Sequence, residues 1–256
     1  MCLLASGSKG NCLWVQAGKT RLLVDCGLGP RALRQRASLV GAEVEKLSAL
    51  LLSHDHSDHV GGVPRLLEDL SPMFASHSLV AERCRFPGGG LFRREVAHAE
   101  TFEIGALAVT ALAVPHDATG TLGFIFEYEG RKMAHVTDLG HVPEALAGAL
   151  EDVDVLSIES NHDLDMLEAG PYPEFLKRRI RGKAGHLSNV DCAALLNRVA
   201  RKGRCRHVVL AHLSETNNLP EKALFAARRG LDGGGGRHVG LTASEQRHPS
   251  PVFLAA

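Results

Sequence analysis

The chain reads as a mixed α/β protein, with strands packed between helices, on two observations. Short apolar, β-branched-rich runs recur along its 256 residues, and segments of helical periodicity separate them. The strand runs are Cys12 to Val15, Arg21 to Cys26, Ala49 to Ser53, Leu107 to Val114, Gly123 to Tyr128, Lys132 to Val136, Val153 to Glu159 and His207 to Ala211. Helical periodicity covers Pro30 to Leu39, Val63 to Leu70, Pro143 to Leu150, Pro173 to Ile180, Asn189 to Lys202 and Pro220 to Arg229. Ser188 or Asn189 is placed to cap the fifth of these, and Gly203 to end it. Neither half of the chain is long enough for a separate inserted domain, so residues 1–256 are expected to form one domain. The Gly233 to Gly236 run predicts a flexible loop, Arg237 to Thr242 a last short strand, and His248 to Ala256 a loose tail.

Composition narrows the functional classes. Hydrophobic residues at 45% and charged residues at 23% suit an ordinary globular protein and exclude a disordered or coiled-coil chain. Lys and Arg at 29 balance Asp and Glu at 29, which excludes a uniformly basic nucleic-acid coat but not a local patch. No apolar run approaches the roughly 18 residues that cross a membrane, and the N-terminus has no basic signal-like region, so no membrane partner and a cytoplasmic location are expected. The six cysteines form no C-x-x-C pair and are expected as reduced, mostly buried thiols.

The chemistry collects at strand ends. Five apolar runs each deliver an Asp or a His at their carboxyl end: Asp25, His54, His116, Asp138 and His212. That edge is where α/β sheets build their sites. The strongest local signal is His54-Asp55-His56-Ser57-Asp58-His59, an H-x-H-x-D-H pattern expected by chance in roughly 0.002 of chains with this composition. Alternating His54 and His56 point the same way while Asp58 and His59 lie past a turn, so one loop can offer two ligands to each of two adjacent metal ions. Imidazole suits zinc, manganese or iron, and the carboxylate favours the harder ions. Gly61-Gly62 just beyond fits close backbone packing near the metals.

These residues, in this order, resemble the metallo-β-lactamase fold superfamily. The resemblance implies a four-layer αββα sandwich of two mixed β-sheets flanked by helices. It further implies that His54, His56 and His116 hold one divalent ion, that Asp58, His59 and His212 hold the other, that Asp138 bridges them, and that Asp25 orients a ligand imidazole. A two-metal centre lowers the pKa of a bridging water and stabilises both oxygens of a displacement, so hydrolysis by the bridging hydroxide is expected, with Asp58 and His186 as catalytic residues. Lactamases of this fold usually place a cysteine where this chain has Asp138, which argues against antibiotic hydrolysis. Glyoxalase-II-like thioesterases and small-molecule phosphodiesterases share the ligand set and are the alternative.

Glu159-Ser160-Asn161-His162-Asp163, Gly185-His186-Leu187-Ser188-Asn189, His212-Leu213-Ser214-Glu215-Thr216-Asn217-Asn218 and Ala5-Ser6-Gly7-Ser8-Lys9-Gly10-Asn11 resemble the bacterial YycJ/WalJ-like branch, which is similar to ribonuclease Z and phosphodiesterase members of the fold. That likeness makes His186 a proton donor to a leaving alkoxide and points to DNA, rather than RNA, as the substrate of an exonuclease. Between Leu176 and Arg206 ten basic residues face one acid, Asp191, a cluster that would attract a phosphate backbone. Asn161, His162, Ser188, Arg181 and Lys183 are expected at the substrate rim. Ser6 to Asn11 could offer N–H groups and Lys9 to a phosphate or be an ordinary turn. A metal-stabilised binding module without turnover is the non-enzymatic alternative. The oligomeric state is not legible.

Overall fold

The computed structural model describes residues 1–84 and 93–255; Ala256, the last residue of the expected tail, lies outside them. The chain divides into two compact units. The first comprises Met1–Ala113, Ala118–Gly130 and Glu245–Leu254, and the second is built on Val114–Asp117 and Arg131–Ser244.

In the first unit, β1 (Cys2–Ala5), β2 (Cys12–Ala17), β3 (Thr20–Val24), β4 (Ala49–Leu51), β5 (Met73–Ser76) and β6 (Arg93–Glu95) form a six-stranded sheet in sequence order. The helices α1 (Pro30–Leu39), α2 (Ser57–Val60), α3 (Val63–Leu70) and α4 (Ser78–Cys84) connect its later strands. Pro30 and the Val63-Pro64 pair open α1 and α3 where a proline costs no hydrogen bond. Both helices bury an apolar face, Leu33 and Ala37 from α1 and Val63, Leu66 and Leu67 from α3, in one cluster with Trp14, Leu23, Leu50 and Phe74. Strands β1 to β3 are antiparallel, whereas β3, β4 and β5 run parallel. Parallel strands end on the same edge, so Asp25 after β3 and the Ser53-His54 segment after β4 emerge together.

The strands β7 (Thr101–Ile104), β8 (Leu107–Ala113) and β9 (Leu122–Tyr128) are an antiparallel meander. They belong to a second, seven-stranded sheet of order β13-β12-β11-β10-β9-β8-β7. Its remaining strands are in the second unit: β10 (Arg131–Val136), β11 (Val155–Glu159), β12 (His207–Ala211) and β13 (Gly240–Ala243), all mutually parallel. Around them lie α5 (Glu144–Leu150), α6 (Leu164–Ala169), α7 (Glu174–Arg181), α8 (Asn189–Lys202) and α9 (Pro220–Gly233). Ser188 caps α8 by accepting from Asp191 N at 3.1 Å, and Gly203, at φ 71°, ends it. Both sheets are mixed and flanked by helices, as the resemblance implies. No helix among the described residues is long and apolar enough to cross a membrane. Five of the six free cysteines are buried and Cys84 is half-buried.

Within the glycine run, Gly233 is the last residue of α9, and Gly234, Gly235 and Gly236 donate back to the helix's last carbonyls. The glycines serve contact with α8. A Cβ on Gly230 would sit 2.2 Å from Ala193 O, and one on Gly234 2.2 Å from Asn197 O. In the expected tail, Ser250 N donates to Leu3 O, Phe253 N donates to Met1 O, and the Phe253 ring is buried.

Gly62 makes a closer approach still. A Cβ there would lie 1.9 Å from Leu28 O, and its N–H already donates to Cys26 O at 2.8 Å. Gly62→Ala is therefore expected to push the segment after β3 away from α2 and to destabilise the protein by about 3 kcal/mol, read as a lower urea midpoint at unchanged slope.

Candidate metal centre

Each unit holds a set of donor side chains of its own. In the first, the loop after β4 turns into the one-turn helix α2, which places Asp58 and His59 a turn beyond His54 and His56. The His54 ring lies 4.7 Å from His56 and 4.0 Å from His59, centroid to centroid. Asp55, the residue skipped by the pattern, turns away to Arg83. Asp25 fixes the group: its Oδ2 takes His59 Nδ1 at 2.8 Å and Ser53 Oγ at 2.7 Å, and its Oδ1 accepts Ser53 N. Ser53 Oγ in turn lies 2.9 Å from His54 Nδ1. With Nδ1 pinned on an oxygen, the lone pair of each ring belongs to Nε2, the pattern of imidazoles made ready for a metal.

Asn11 closes the cradle. Its amide nitrogen donates to Asp58 Oδ2 at 3.0 Å and lies 2.9 Å from His59 Nε2, while its backbone N–H holds Asp58 O. The segment before it is a turn: Gly7 N donates to Asn11 Oδ1, Gly10 N to Gly7 O, and Lys9 N to Gln246. These N–H groups serve the fold and its ligands, so the phosphate-loop alternative gives way to the turn.

In the second unit, parallel β10, β11 and β12 end on one edge and deliver Asp138, Glu159 and His212 there. Asp138, Glu159, His186 and His212 bring four donor atoms within 4.8 Å of one another. Glu159 organises them. It is fully buried, accepts from His186 Nδ1 at 2.9 Å and His212 Nδ1 at 2.8 Å, and takes the backbone N–H groups of Leu139 and Leu187 on its other oxygen. Burial alone would raise its pKa, but His186 and the hydrogen bonds outweigh burial and hold it at about 2. The motif Glu159 to Asp163 does not by itself give Glu159 a role; its signal in the sequence is an acid closing a largely apolar strand.

The same cluster separates two histidines by charge. Burial lowers His186, yet Glu159 and Asp138, at 2.9 and 3.5 Å, more than offset it and hold the imidazolium above its ordinary pKa. His116, with Nδ1 on Gly185 O at 3.1 Å, is pushed the other way by burial, which favours its neutral form. Asp138 Oδ1 lies 4.0 Å from His116 Nε2 and 3.2 Å from His212 Nδ1. Asp25, Asp138 and His212 carry positive φ of 59°, 58° and 53°, a conformation unusual outside glycine and enriched at functional sites.

The expected substrate rim is partly buried instead. Asn161 is 4% exposed and donates to His212 O, and Ser188 is committed to the α8 cap and Asp191. His162 is 1% exposed, with its pKa pushed down to about 4 by burial. Arg181 and Lys183 are exposed, Arg181 paired with Glu168. The basic cluster is also diluted by acids remote in sequence. Arg198 holds Glu144 and Glu151, Lys202 lies 3.5 Å from Glu151, Arg204 pairs with Asp152 and Asp154, and Arg179 with Asp117.

Residues 20–213 match the model of the β-lactamase superfamily domain. The chain belongs to the β-lactamase superfamily. Within the superfamily it is 34% identical to exodeoxyribonuclease YycJ of Bacillus anthracis over 90% of this chain and 88% of that one. It is 32% identical to exodeoxyribonuclease WalJ of Streptococcus pneumoniae over 86% and 84%. The metallo-β-lactamase fold protein YhfI of Bacillus subtilis superposes with a TM-score of 0.72 at 16% identity, covering 98% of this chain and 99% of that one, so the fold is the metallo-β-lactamase fold. Superfamily membership and the carboxylate-anchored histidines make the chain a metal-dependent hydrolase, with clusters suited to metal binding.

Proposed function

We propose that the chain hydrolyses phosphodiester bonds in nucleic acid and acts as a DNA exonuclease. The observation that carries the reading is the contact of Glu159 with His186 at 2.9 Å, a buried carboxylate beside a half-buried imidazole whose protonated form it favours. The names of the YycJ and WalJ relatives support the substrate. In this reading two divalent ions, zinc or manganese before iron, would be held as the superfamily resemblance implies: His54, His56 and His116 would take one, Asp58, His59 and His212 the other, and Asp138 would be available to both.

When bound, the ions supply Lewis-acid polarisation of the phosphate and a more acidic water. The chain supplies the rest. His186 has Nδ1 on Glu159, so the proton it gives to the departing deoxyribose oxygen comes from Nε2, as the P–O bond breaks. Such a donor contributes about 10²- to 10⁴-fold. Glu159 stays ionised throughout, and its charge favours recovery of a proton from water at Nε2 once the product has left. Asp58, 20% exposed at its side chain, orients the attacking water. Asp25 and Glu159 hold the tautomers of His59 and His212.

The test is a time course on 5′- and 3′-labelled single- and double-stranded DNA with Mn²⁺ or Zn²⁺. Mononucleotide release is expected, from one end before the other. Intact DNA in every metal, with turnover of a thioester or a small diester, would overturn the reading in favour of a thioesterase or small-molecule phosphodiesterase.

Glu159→Gln gives a pH signature. Without the anion, the His186 pKa falls, and activity that needs the imidazolium is lost at lower pH. The basic limb of the pH–rate profile is therefore expected to move down, with kcat reduced about tenfold near neutrality. An unmoved basic limb would show that the Glu159–His186 pair does not govern proton donation.

A further inference from the structure

The charges left over after ion pairing mark a surface. Of the basic residues between Leu176 and Arg206, Lys177, Arg179, Arg181, Arg198, Lys202 and Arg204 meet carboxylates, and Arg201 donates to Asn197. Arg178, Lys183 and Arg206 are exposed, and among the described residues their side chains meet no acid. Arg206 precedes β12, at the opposite end of that strand from His212. The other two flank the site. Arg178 lies one helical turn from Phe175 on α7, and Phe175 is 68% exposed, so an aromatic ring and an unpaired guanidinium share one helix face.

That face leads to the predicted ligands. Arg179, four residues from Phe175, pairs with Asp117, whose Oδ1 lies 3.3 Å from His116 Nε2. Lys183 sits in the turn between α7 and His186. Its carbonyl is 2.8 Å from His141 Nδ1, and a Cβ on Gly140 would lie 2.4 Å from its carbonyl carbon, so the turn is pressed on the loop that follows Asp138.

We propose that Phe175, Arg178 and Lys183 form a platform for a single-stranded nucleic-acid end, with a base stacked on Phe175 and phosphates against Arg178 and Lys183. The proposal rests on the nuclease reading and adds the form of the substrate. A flat aromatic ring beside unpaired cations suits a strand with unstacked bases, because every base has a face to stack and the cations track the backbone without reading sequence. A blunt duplex keeps its bases stacked on one another and offers only phosphates.

Fluorescence anisotropy tests this with a labelled phosphorothioate oligothymidylate, which resists turnover, on the full chain. Phe175→Ala is expected to weaken binding about tenfold and Phe175→Trp to restore it, with a smaller effect on a blunt duplex. Arg178→Ala is expected to lower the slope of log affinity against log salt by about 0.7. Phe175 and Arg178 are solvent-facing, and matched circular dichroism melts check that each variant folds. Wild-type affinity in both Phe175→Ala and Arg178→Ala overturns the platform, as does a Phe175→Trp variant no better than Phe175→Ala. Failure of the nuclease reading would show separately, as unmodified DNA left intact by the wild-type protein in every metal.

Discussion

Asp138→Ala is expected to purify folded, with at least one metal equivalent per chain missing and DNA hydrolysis reduced to background in Mn²⁺ and Zn²⁺ alike. Asp138 follows β10 in a left-handed conformation, 1% exposed, with Oδ1 within 3.2 to 4.0 Å of ring nitrogens from His212, His186 and His116. Removing it takes, among the described residues, the one carboxylate of this cluster besides Glu159, which is already committed to four donors. Metal affinity depends on that charge as much as on geometry. Alanine tolerates the site sterically but not the left-handed backbone, so a fall in stability of about 1 kcal/mol accompanies the loss. Metal analysis by inductively coupled plasma mass spectrometry decides the matter: full stoichiometry in the variant would refute the ligand assignment.

His186→Ala is expected to do the reverse. His186 is not in the superfamily's implied ligand set, and its Nδ1 is held by Glu159, so metal content should match the wild type while kcat falls about 10²- to 10⁴-fold. The loss should shrink for a substrate with a good leaving group, such as a nitrophenyl diester, which departs without a proton. An equal loss on both substrates would assign His186 to metal binding or to the fold rather than to proton donation.

Much of this centre was legible because its chemistry is local in sequence. His54 to His59 is one loop, and Asp25, Asp138 and His212 each end a strand whose apolar run is plain. Helix limits were legible where a proline or a cap marks them, as at Pro30, Asn189 and Pro220. The short strands β1, β5, β6 and β7 were not, being three or four residues long, too short for a pattern to stand out from its neighbours. The role of Glu159 was hidden for a different reason: its partners are 20 to 53 residues away, and only the parallel register of β10, β11 and β12 brings them together. The basic run misled in the same way, since Glu144, Glu151, Asp152 and Asp154 precede it in the chain and meet it only in the fold.

The left-handed backbone at Asp25, Asp138 and His212 sets the chemistry and the durability of the molecule against each other. Each of these residues holds a conformation that glycine adopts at lower cost, by roughly 1 kcal/mol. Selection for thermal resistance alone would therefore drift positions 25, 138 and 212 towards glycine and erase these donors while the fold improved. A directed-evolution campaign on this scaffold needs an activity gate at every round, because the sturdiest descendants will be found among the inert ones.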